Sequence, residues 1–453
     1  MQSILRVRNL FLIASLSISI AIWMFALKRN LTVPYIGDSL GYVSRARNMA
    51  ELGFMNHAPI EPFGVPLQSM GYALILSIVP RQLLIDAEGL RIFASIAQLL
   101  IYVLASWYFA KTVSRFAKYP ADIVFGSLLI FWPAIIISTE VMSDSISLSL
   151  TLVILATLIR VMNTQSTLRM AIFLGLTYGT LLIVRPSSLI ISPVIIFAFW
   201  KGNSNWKITK QKILHLILLT SLSSILISPQ VIWTYQQFNK ISLIELDDSY
   251  TQGIPLSVGE QNARATFIQL NGCAVPVDCP LINRYPGPLS WRSYQALGTD
   301  FPTWNEWLMV EPGFAILQSG MILMASLDQE FFYTYIRYPE AESNFFTLFL
   351  LWFFVLSGSK YLYSQLRSKD KETSRSAALV CSIIAPYLAT QLFLFHAENR
   401  YGLVPATLLF FLGVLRFTSE DSKSKKVKDA LFSSVFSLAL SITIWKIFVL
   451  PFL

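Results

Sequence analysis

The most constraining feature of this sequence is a largely apolar stretch of about 40 residues at 121–160. As one continuous helix it would be roughly 60 Å long, about twice the hydrocarbon thickness of a bilayer. The stretch must therefore cross a membrane twice, and the polar run from Ser138 to Asp144 marks the turn between the two crossings. This pattern is typical of an all-α integral membrane protein.

The same criterion predicts about eleven transmembrane helices along the chain, because spanning the hydrocarbon takes roughly 20 apolar residues. The first begins after two arginines but has no small-residue cleavage site, so it is interpreted as a retained helix. Segment 67–80 is apolar but only about 14 residues long, which favours an interfacial helix. The candidate spans are 10–27, 89–110, 121–139, 142–160, 170–185, 187–200, 213–232, 345–363, 376–396, 401–416 and 429–450.

The charged residues predict the orientation of these helices. Only 13% of the chain is charged, about half of the roughly 25% that is usual in soluble domains. The net charge of +9 does not indicate a nucleic-acid partner, because the basic residues fall in alternate short gaps between spans, as on the cytoplasmic side of membrane proteins. The opposite side then carries loop 28–88, the turns 138–144, 185–187 and 397–400, and the long loop 233–344.

Three parts are predicted. Residues 1–232 form an N-terminal transmembrane module with the first outer loop, 28–88, inside it. Residues 233–344 hold several tryptophans and short apolar patches, so they are predicted to pack as an extracytoplasmic cap, and 345–453 form the C-terminal transmembrane helices. Cys273 and Cys279 lie in the cap, where a disulfide forms if the compartment is oxidising; two unpaired small residues are the alternative.

Several functional classes lose support from the motifs. The sequence has no phosphate-loop glycine motif, no G-x-S-x-G and no H-E-x-x-H. It also has no Cys/His cluster with zinc-ligand spacing. A nucleotide-driven pump, a serine hydrolase and a zinc protease are therefore disfavoured, and no metal ligand is assigned.

Polar residues gather at four of the predicted outer turns. Asp38 stands just before a helical pattern, where a carboxylate caps a helix. The functional alternative is a base for an acceptor hydroxyl, with Tyr42 and Arg45 on the same helix face. Glu140 and Asp144 are four residues apart, which predicts two carboxylates on one face of a helix start, or a hydrated turn.

The other two turns carry basic groups. Arg185 either extends to the lipid headgroups or holds a phosphate through a bidentate contact. The last cluster lies between two late spans and consists of His396, Glu398, Arg400 and Tyr401. A helical bundle would bring acids and bases from these turns to one cavity.

These landmarks resemble the polytopic GT-C glycosyltransferases, and most of all the protein O-mannosyltransferase and aminoarabinose-transferase superfamily. The similarity rests on Gly37-Asp38-Ser39-Leu-Gly-Tyr42, followed by a proline-rich stretch and a short apolar helix. The acidic turn and three motifs then follow in the same order: Gly-Leu-x-x-Gly-x-Leu-x-x-x-Arg-Pro at 175–186, Pro-x-x-x-x-x-Tyr at 229–235 and Arg-Tyr-x-x-x-Pro at 400–405. The resemblance covers 1–235 and 376–416.

The resemblance implies a GT-C-like bundle and transfer of a sugar from a polyprenyl-phosphate donor to an acceptor on the extracytoplasmic side. Asp38 would be the base, with inversion at the anomeric carbon, and Glu140 or Asp144 would orient the acceptor or assist the base. Arg185 and Arg400 would stabilise the phosphate leaving group. Tyr42, Arg45, His396, Glu398 and Tyr401 would complete the substrate-binding set.

The sequence departs from the family where Asp38 is followed by Ser39 instead of Glu, which puts a metal contact at that position in doubt. The implied cofactor is therefore none, or a divalent cation. The partners are the lipid-linked donor, membrane lipid and a glycan, lipid or protein acceptor. The expected location is a bacterial inner membrane, with the site facing the periplasm; the endoplasmic reticulum is the alternative. The alternatives are a polysaccharide polymerase or ligase, and a flippase for lipid-linked sugar.

Overall fold

The computed structural model describes residues 2–31, 38–53, 70–117, 119–164, 166–201, 209–239, 344–393, 399–418 and 423–444, with positions 241, 309, 312 and 313. The helices are α1 (Gln2–Leu31), α2 (Asp38–Leu52), α3 (Met70–Ser77), α4 (Arg81–Ile85), α5 (Ala87–Ala117), α6 (Ala121–Leu129), α7 (Trp132–Ile137), α8 (Asp144–Asn163), α9 (Leu168–Val184), a 3₁₀ helix (Pro186–Ile191), α10 (Ser192–Lys201), α11 (Lys210–Phe238), α12 (Asn344–Leu366), α13 (Lys371–Phe393), α14 (Asn399–Thr418) and α15 (Lys423–Ile444).

The protein is an all-α integral membrane protein, as predicted. Within the described ranges, four helices are long and apolar enough to cross a membrane: Arg8–Lys28, Ala87–Phe116, Asp144–Asn163 and Lys210–Gln236. Shorter apolar helices follow at Leu168–Val184, Pro186–Lys201 and Gly402–Thr418. Helix, and no strand, forms the regular structure of these ranges. Hydrophobic runs of this length favour helix because every backbone polar group in lipid must be satisfied within its own segment.

The chain divides into two compact units. The first comprises Met1–Tyr250 and Gln365–Ile383, and the second comprises Thr251–Ser364 and Ile384–Leu453. The three parts predicted from the sequence, 1–232, 233–344 and 345–453, stay a prediction.

The first crossing of the long apolar stretch is broken into α6 and α7, where a single helix was predicted. Pro133 lies in the first turn of α7 and has no N–H with which to reach the carbonyl of Leu129 four residues earlier. Two neighbouring helices satisfy the carbonyls at this break. Ser19 Oγ of α1 donates to Leu129 O at 2.5 Å, and Tyr102 Oη of α5 donates to Leu128 O at 2.7 Å. The break is thus tolerated inside the bundle because the freed backbone groups have partners.

The central helix of the first unit is α8, and 83% of its most apolar 18-residue window is buried. It packs against α5, α9 and α10, while α9 packs against α11. Glycines allow the α9–α11 approach, since a Cβ at Gly175 would lie 3.0 Å from Leu219 O. Ser223 Oγ donates to Gly175 O at 3.0 Å across the same contact.

Contacts between helix ends agree with the predicted alternation of the spans. Arg8, at the start of the first span, forms an ion pair with Asp122 at the start of α6. At the opposite ends of the same two segments, Asn30 Nδ2 donates to Thr139 Oγ1 at 2.6 Å. Helix α1 therefore runs parallel to the α6–α7 segment.

Helices α2, α3 and α4 are short elements that pack beside the ends of the long helices. Helix α3 has 8 residues and is roughly 12 Å long, well short of the hydrocarbon thickness. It lies directly on α9, because a Cβ added at Gly71 would overlap the backbone of Ile183. Its first residue, Met70, donates its N–H to Gln230 Oε1 of α11 at 2.9 Å. This segment falls within the predicted interfacial helix 67–80.

In the second unit, α12 and α14 cross through two facing glycines. A Cβ at Gly358 would overlap the carbonyl of Leu409, and a Cβ at Gly413 would overlap the carbonyl of Phe354. The rings of Phe354 and Phe410 pack beside this crossing with centroids 4.9 Å apart. The close approach follows the small-residue rule for membrane helix pairs, since helices packed in lipid gain from van der Waals contact.

Replacing Gly413 by Ala is expected to destabilise the protein by about 1–3 kcal/mol, the usual cost of overpacking a tight contact. The added methyl group would push α12 and α14 apart, because the opposing atom is a backbone carbonyl. Thermal unfolding in detergent measures the effect. Gly313→Ala is the matched control, since nothing lies within 4 Å of a Cβ there. Equal melting temperatures for both variants and the parent would contradict the crossing.

Candidate active site

A cluster of buried apolar residues joins the elements that carry several of the predicted polar residues. It brings α2, α3 and α4 against the start of α5, the 138–143 turn, the start of α8 and the end of α9. Its members include Tyr42, Val43, Met49, Met70, Tyr72, Leu76, Leu84, Leu90, Val141, Ile146, Ile183 and Val184. The acidic turn, Arg185 and the helix after Asp38 therefore share one end of the first unit.

Asp144 and Arg185 form the ion pair at the centre of this region. Asp144 is the first residue of α8, where the free N–H groups and the helix dipole favour a carboxylate. Arg185 follows the last residue of α9, and its Nη1 donates to Asp144 Oδ1. The two side chains are only 1% and 11% exposed.

The second carboxylate oxygen of Asp144 is chemically distinctive. Oδ2 is buried, and the described part of the chain provides no hydrogen-bond partner for it. A buried acceptor without a donor has a desolvation cost of about 1–3 kcal/mol. One oxygen of Asp144 is therefore neutralised by a guanidinium, while the other can still accept a hydrogen bond, an arrangement suited to receive a donor from a substrate.

Glu140 lies outside the helix, so the prediction that Glu140 and Asp144 share one face of a helix start is wrong. Helix α7 ends at Ile137, and α8 begins only at Asp144. A side chain from α5 holds the intervening turn instead, since Gln98 Nε2 donates to Glu140 O at 2.6 Å. With its backbone held in this way, Glu140 sits in a bend between two helices.

Burial raises the pKa of the Glu140 carboxyl, and the positive charge of Arg91 offsets part of that rise. Burial penalises the ionised form because the charge loses its hydration. The carboxyl of Glu140 is thus poised to hold a proton at a higher pH than an exposed glutamate.

Stability should consequently fall as pH rises above the ordinary glutamate pKa of about 4.3, because the folded state keeps the proton that the unfolded chain has lost. The slope should reach at most about 1.4 kcal/mol per pH unit and end above the raised folded pKa. Glu140→Gln has no proton to lose and should remove this contribution. Melting temperatures in detergent between pH 5 and 9 measure the difference.

Glu51→Gln is the control for this measurement, because the Glu51 side chain is 46% exposed. It should keep the slope of the parent protein. If Glu140→Gln also keeps that slope, burial does not perturb the Glu140 carboxyl.

Tyr42 and Arg45 are on one face of α2, as predicted, and both are buried. Tyr42 Oη lies 3.1 Å from Ser143 Oγ in the acidic turn, and its ring meets that of Tyr72 edge-on with centroids 4.9 Å apart. Sequence reasoning missed Arg47, whose Nε donates to Leu84 O at 2.7 Å at the end of α4. These contacts fix α2 against the turn and against α4.

Asp38 is the first residue of α2, and its side chain lies outside the described residues. His396, Glu398, Cys273 and Cys279 lie wholly outside them. Arg400 and Tyr401 belong to the first turn of α14 in the second unit, and only their backbone is described. The roles of these residues and the disulfide stay predictions.

Three polar residues of this region were missed by sequence reasoning: Asn30, Arg91 and Gln98. Asn30 and Arg91 are buried, and Arg91 Nη1 donates to the backbone carbonyl of Asn30. Gln98, also buried, holds the Glu140 carbonyl. The available signal was a polar side chain within an apolar helix, which is expensive in a membrane and therefore points to a specific partner.

A metal centre is not apparent within the described ranges, which contain no group of three or more His, Cys, Asp or Glu suited to hold an ion. Both cofactor alternatives, none or a divalent cation, stay predictions.

Comparison with known proteins supports the fold. No family model and no curated protein matches the sequence. The crystal structure of the Archaeoglobus fulgidus oligosaccharyltransferase in complex with zinc and sulfate matches at a TM-score of 0.51 and 12% identity, over 97% of this chain and 52% of that chain. The apo form of the same enzyme matches at a TM-score of 0.49 and 12% identity, over 96% of this chain and 55% of that one.

The chain thus spans about half the length of the oligosaccharyltransferase that it matches. At this identity the likeness shows the fold alone. It confirms the predicted GT-C-like architecture, a helical membrane bundle.

Proposed function

We propose that the protein is a membrane glycosyltransferase related to the protein O-mannosyltransferase and aminoarabinose-transferase superfamily. It transfers a sugar from a polyprenyl-phosphate donor to an acceptor on the extracytoplasmic side. The observation that carries this proposal is the buried Asp144–Arg185 pair, which leaves Asp144 Oδ2 open beside the helix that begins at Asp38. The GT-C-like fold supports it, because the pair lies where α8 begins and α9 ends within such a bundle.

The proposed reaction is a direct displacement. Asp38 removes the proton of the acceptor hydroxyl while the hydroxyl oxygen attacks the anomeric carbon, and the bond from that carbon to the phosphate oxygen breaks. The carrier phosphate leaves with the bonding electrons, and the sugar configuration is inverted. Positioned cations stabilise the charge that develops on the phosphate, and Arg185 takes this role in the first unit. The same role, which the resemblance implies for Arg400, stays a prediction.

Asp144 would hold Arg185 for this task. A guanidinium with one side on a carboxylate has its remaining N–H donors directed by that contact. Asp144 thereby fixes the position of the Arg185 guanidinium beside the proposed phosphate site. Glu140 would orient the acceptor from the neighbouring turn, with Tyr42 and Arg45 of α2 beside it. The substrate contacts that the resemblance implies for His396, Glu398 and Tyr401 stay predictions.

A lipid-linked donor fits the rest of the chain. The sequence has no nucleotide-binding motif, and an isoprenoid tail can lie against apolar helices in the bilayer. The acceptor would be a glycan, a lipid or a protein. The proposed setting is a bacterial inner membrane with the site facing the periplasm, and the proposed cofactor is none or a divalent cation.

The test uses purified full-length protein in proteoliposomes with undecaprenyl phosphate carrying radiolabelled mannose, glucose or aminoarabinose. Transfer of label to an added acceptor, with stoichiometric release of undecaprenyl phosphate, is expected for one donor. A ladder of products of increasing length would instead identify a polymerase. Movement of the donor between leaflets without release of carrier would identify a flippase, and either result would overturn the proposal.

A further inference from the structure

The acidic turn 138–143 is held at both of its ends by residues from the start of the first outer loop, 28–88. Near one end of the turn, Asn30 Nδ2 donates to Thr139 Oγ1 at 2.6 Å. At the other end, Tyr42 Oη lies 3.1 Å from Ser143 Oγ. Asn30 belongs to the last turn of α1, and Tyr42 lies in the second turn of α2. Asp38 lies in sequence between these two anchors.

The contact at Asn30 is strong for its setting. Asn30 is 2% exposed and Thr139 is fully buried, so the hydrogen bond has no competing water. Thr139 Oγ1 in turn donates a hydrogen bond to Ile136 O of α7 at 2.7 Å. Such chains of hydrogen bonds reinforce one another in a low-dielectric interior.

A second donor fixes the backbone at the same position. Arg91 Nη1 of α5 donates to the carbonyl oxygen of Asn30, one of the last carbonyls of α1. Carbonyls at a helix end have no partner inside the helix, so this contact also terminates α1. Side chain and backbone of Asn30 are therefore both tied, one to the turn and the other to α5.

The short connection between α1 and α2 links the position of Asn30 to the position of α2. Helix α1 ends at Leu31 and α2 begins at Asp38, a separation that a fully extended chain can bridge over at most about 25 Å. An anchor at Asn30 therefore limits where α2 can begin. It does so relative to the turn that carries Glu140 and leads into Asp144.

We propose that Asn30 is a positioning residue, which sets the start of α2 and its carboxylate against the acidic turn through the hydrogen bond to Thr139. The expected effect of Asn30 on the rate rests on the proposed transferase function. Its expected effect on the position of α2 does not. Asn30 also begins the sequence Asn30-Leu31-Thr32, a glycosylation acceptor pattern. Its amide is instead buried and committed to Thr139.

The first readout is kinetic. Asn30→Ala and Thr139→Val should each lower kcat about 10- to 100-fold with KM changed less than threefold, since a small misplacement of reacting groups costs this much. Thr139→Ser keeps the hydroxyl and should restore the parental rate. Ser19→Ala is the matched control, because it removes a bond between α1 and α6 far from the turn. Parental kcat in Thr139→Val would overturn the inference.

The second readout does not depend on activity. Spin labels are placed at Leu40→Cys on α2 and Leu189→Cys after α9, both exposed positions, with the native cysteines replaced by serine. The distance distribution between them should broaden or shift in Asn30→Ala and stay unchanged in Ser19→Ala. An unchanged distribution in Asn30→Ala overturns the inference. A changed distribution in a protein that transfers no sugar overturns the proposed function alone.

Discussion

Asp38→Asn should lower the rate of sugar transfer by about 10²–10⁴, the usual contribution of a positioned general base. Asparagine cannot accept a proton from the acceptor hydroxyl at neutral pH. It is, however, as good a helix cap as aspartate, so α2, which begins at residue 38, should form normally. The loss should therefore appear in kcat, while the melting temperature in detergent stays close to that of the parent.

The control separates a base from a helix cap. Asp86 precedes α5, and its Oδ1 accepts the N–H of Glu88 at 3.1 Å, a capping contact that involves no residue of the acidic turn. Asp86→Asn should keep full transfer activity. Full activity in Asp38→Asn as well would show that Asp38 only caps α2, and the proposed mechanism would be wrong.

Sequence reasoning located the long helices well because the free energy of moving side chains into lipid is a local property. A run of about 20 apolar residues is visible in the sequence without knowledge of any partner. Helix α5 contains the predicted span 89–110, α8 contains most of 142–160, and α11 contains 213–232. The break at Pro133 also has a local cause, the missing N–H of proline, although a single helix was predicted there.

The geometry of the site could not be predicted in the same way, because it depends on contacts between distant parts of the chain. Glu140 was expected on a helix with Asp144, but Gln98, 42 residues away, holds its carbonyl in a bend. Arg185 reaches Asp144 across 41 residues. Turn composition identifies polar residues as candidates, but only packing decides which of them meet.

Asn30 shows the limit most clearly. In the sequence it is a polar residue at the end of a span, where an exposed side chain is the usual expectation. Its partner, Thr139, is 109 residues away. A buried amide needs a hydrogen-bond partner, but only the packing of α1 beside α7 shows that the partner lies in the acidic turn.

Replacing Arg185 by Met is expected to destabilise the protein by about 3–5 kcal/mol, because it would leave the Asp144 carboxylate buried without a compensating charge. The Asp144 side chain is only 1% exposed, so water cannot take the place of the guanidinium without opening the site. Thermal unfolding in detergent measures this loss. The exposed pair of Arg81 and Glu51 gives the matched control, and Arg81→Met should cost less than about 1 kcal/mol.

The double variant Asp144→Asn with Arg185→Met separates stability from chemistry. Removing both charges eliminates the uncompensated carboxylate, so most of the lost stability should return, since a buried pair adds little net stability over neutral groups. Sugar transfer should nevertheless remain lost, because Arg185 would no longer stabilise the charge on the departing phosphate. Recovery of both stability and transfer would show that the pair only holds α8 to α9, and that the phosphate is stabilised by other residues.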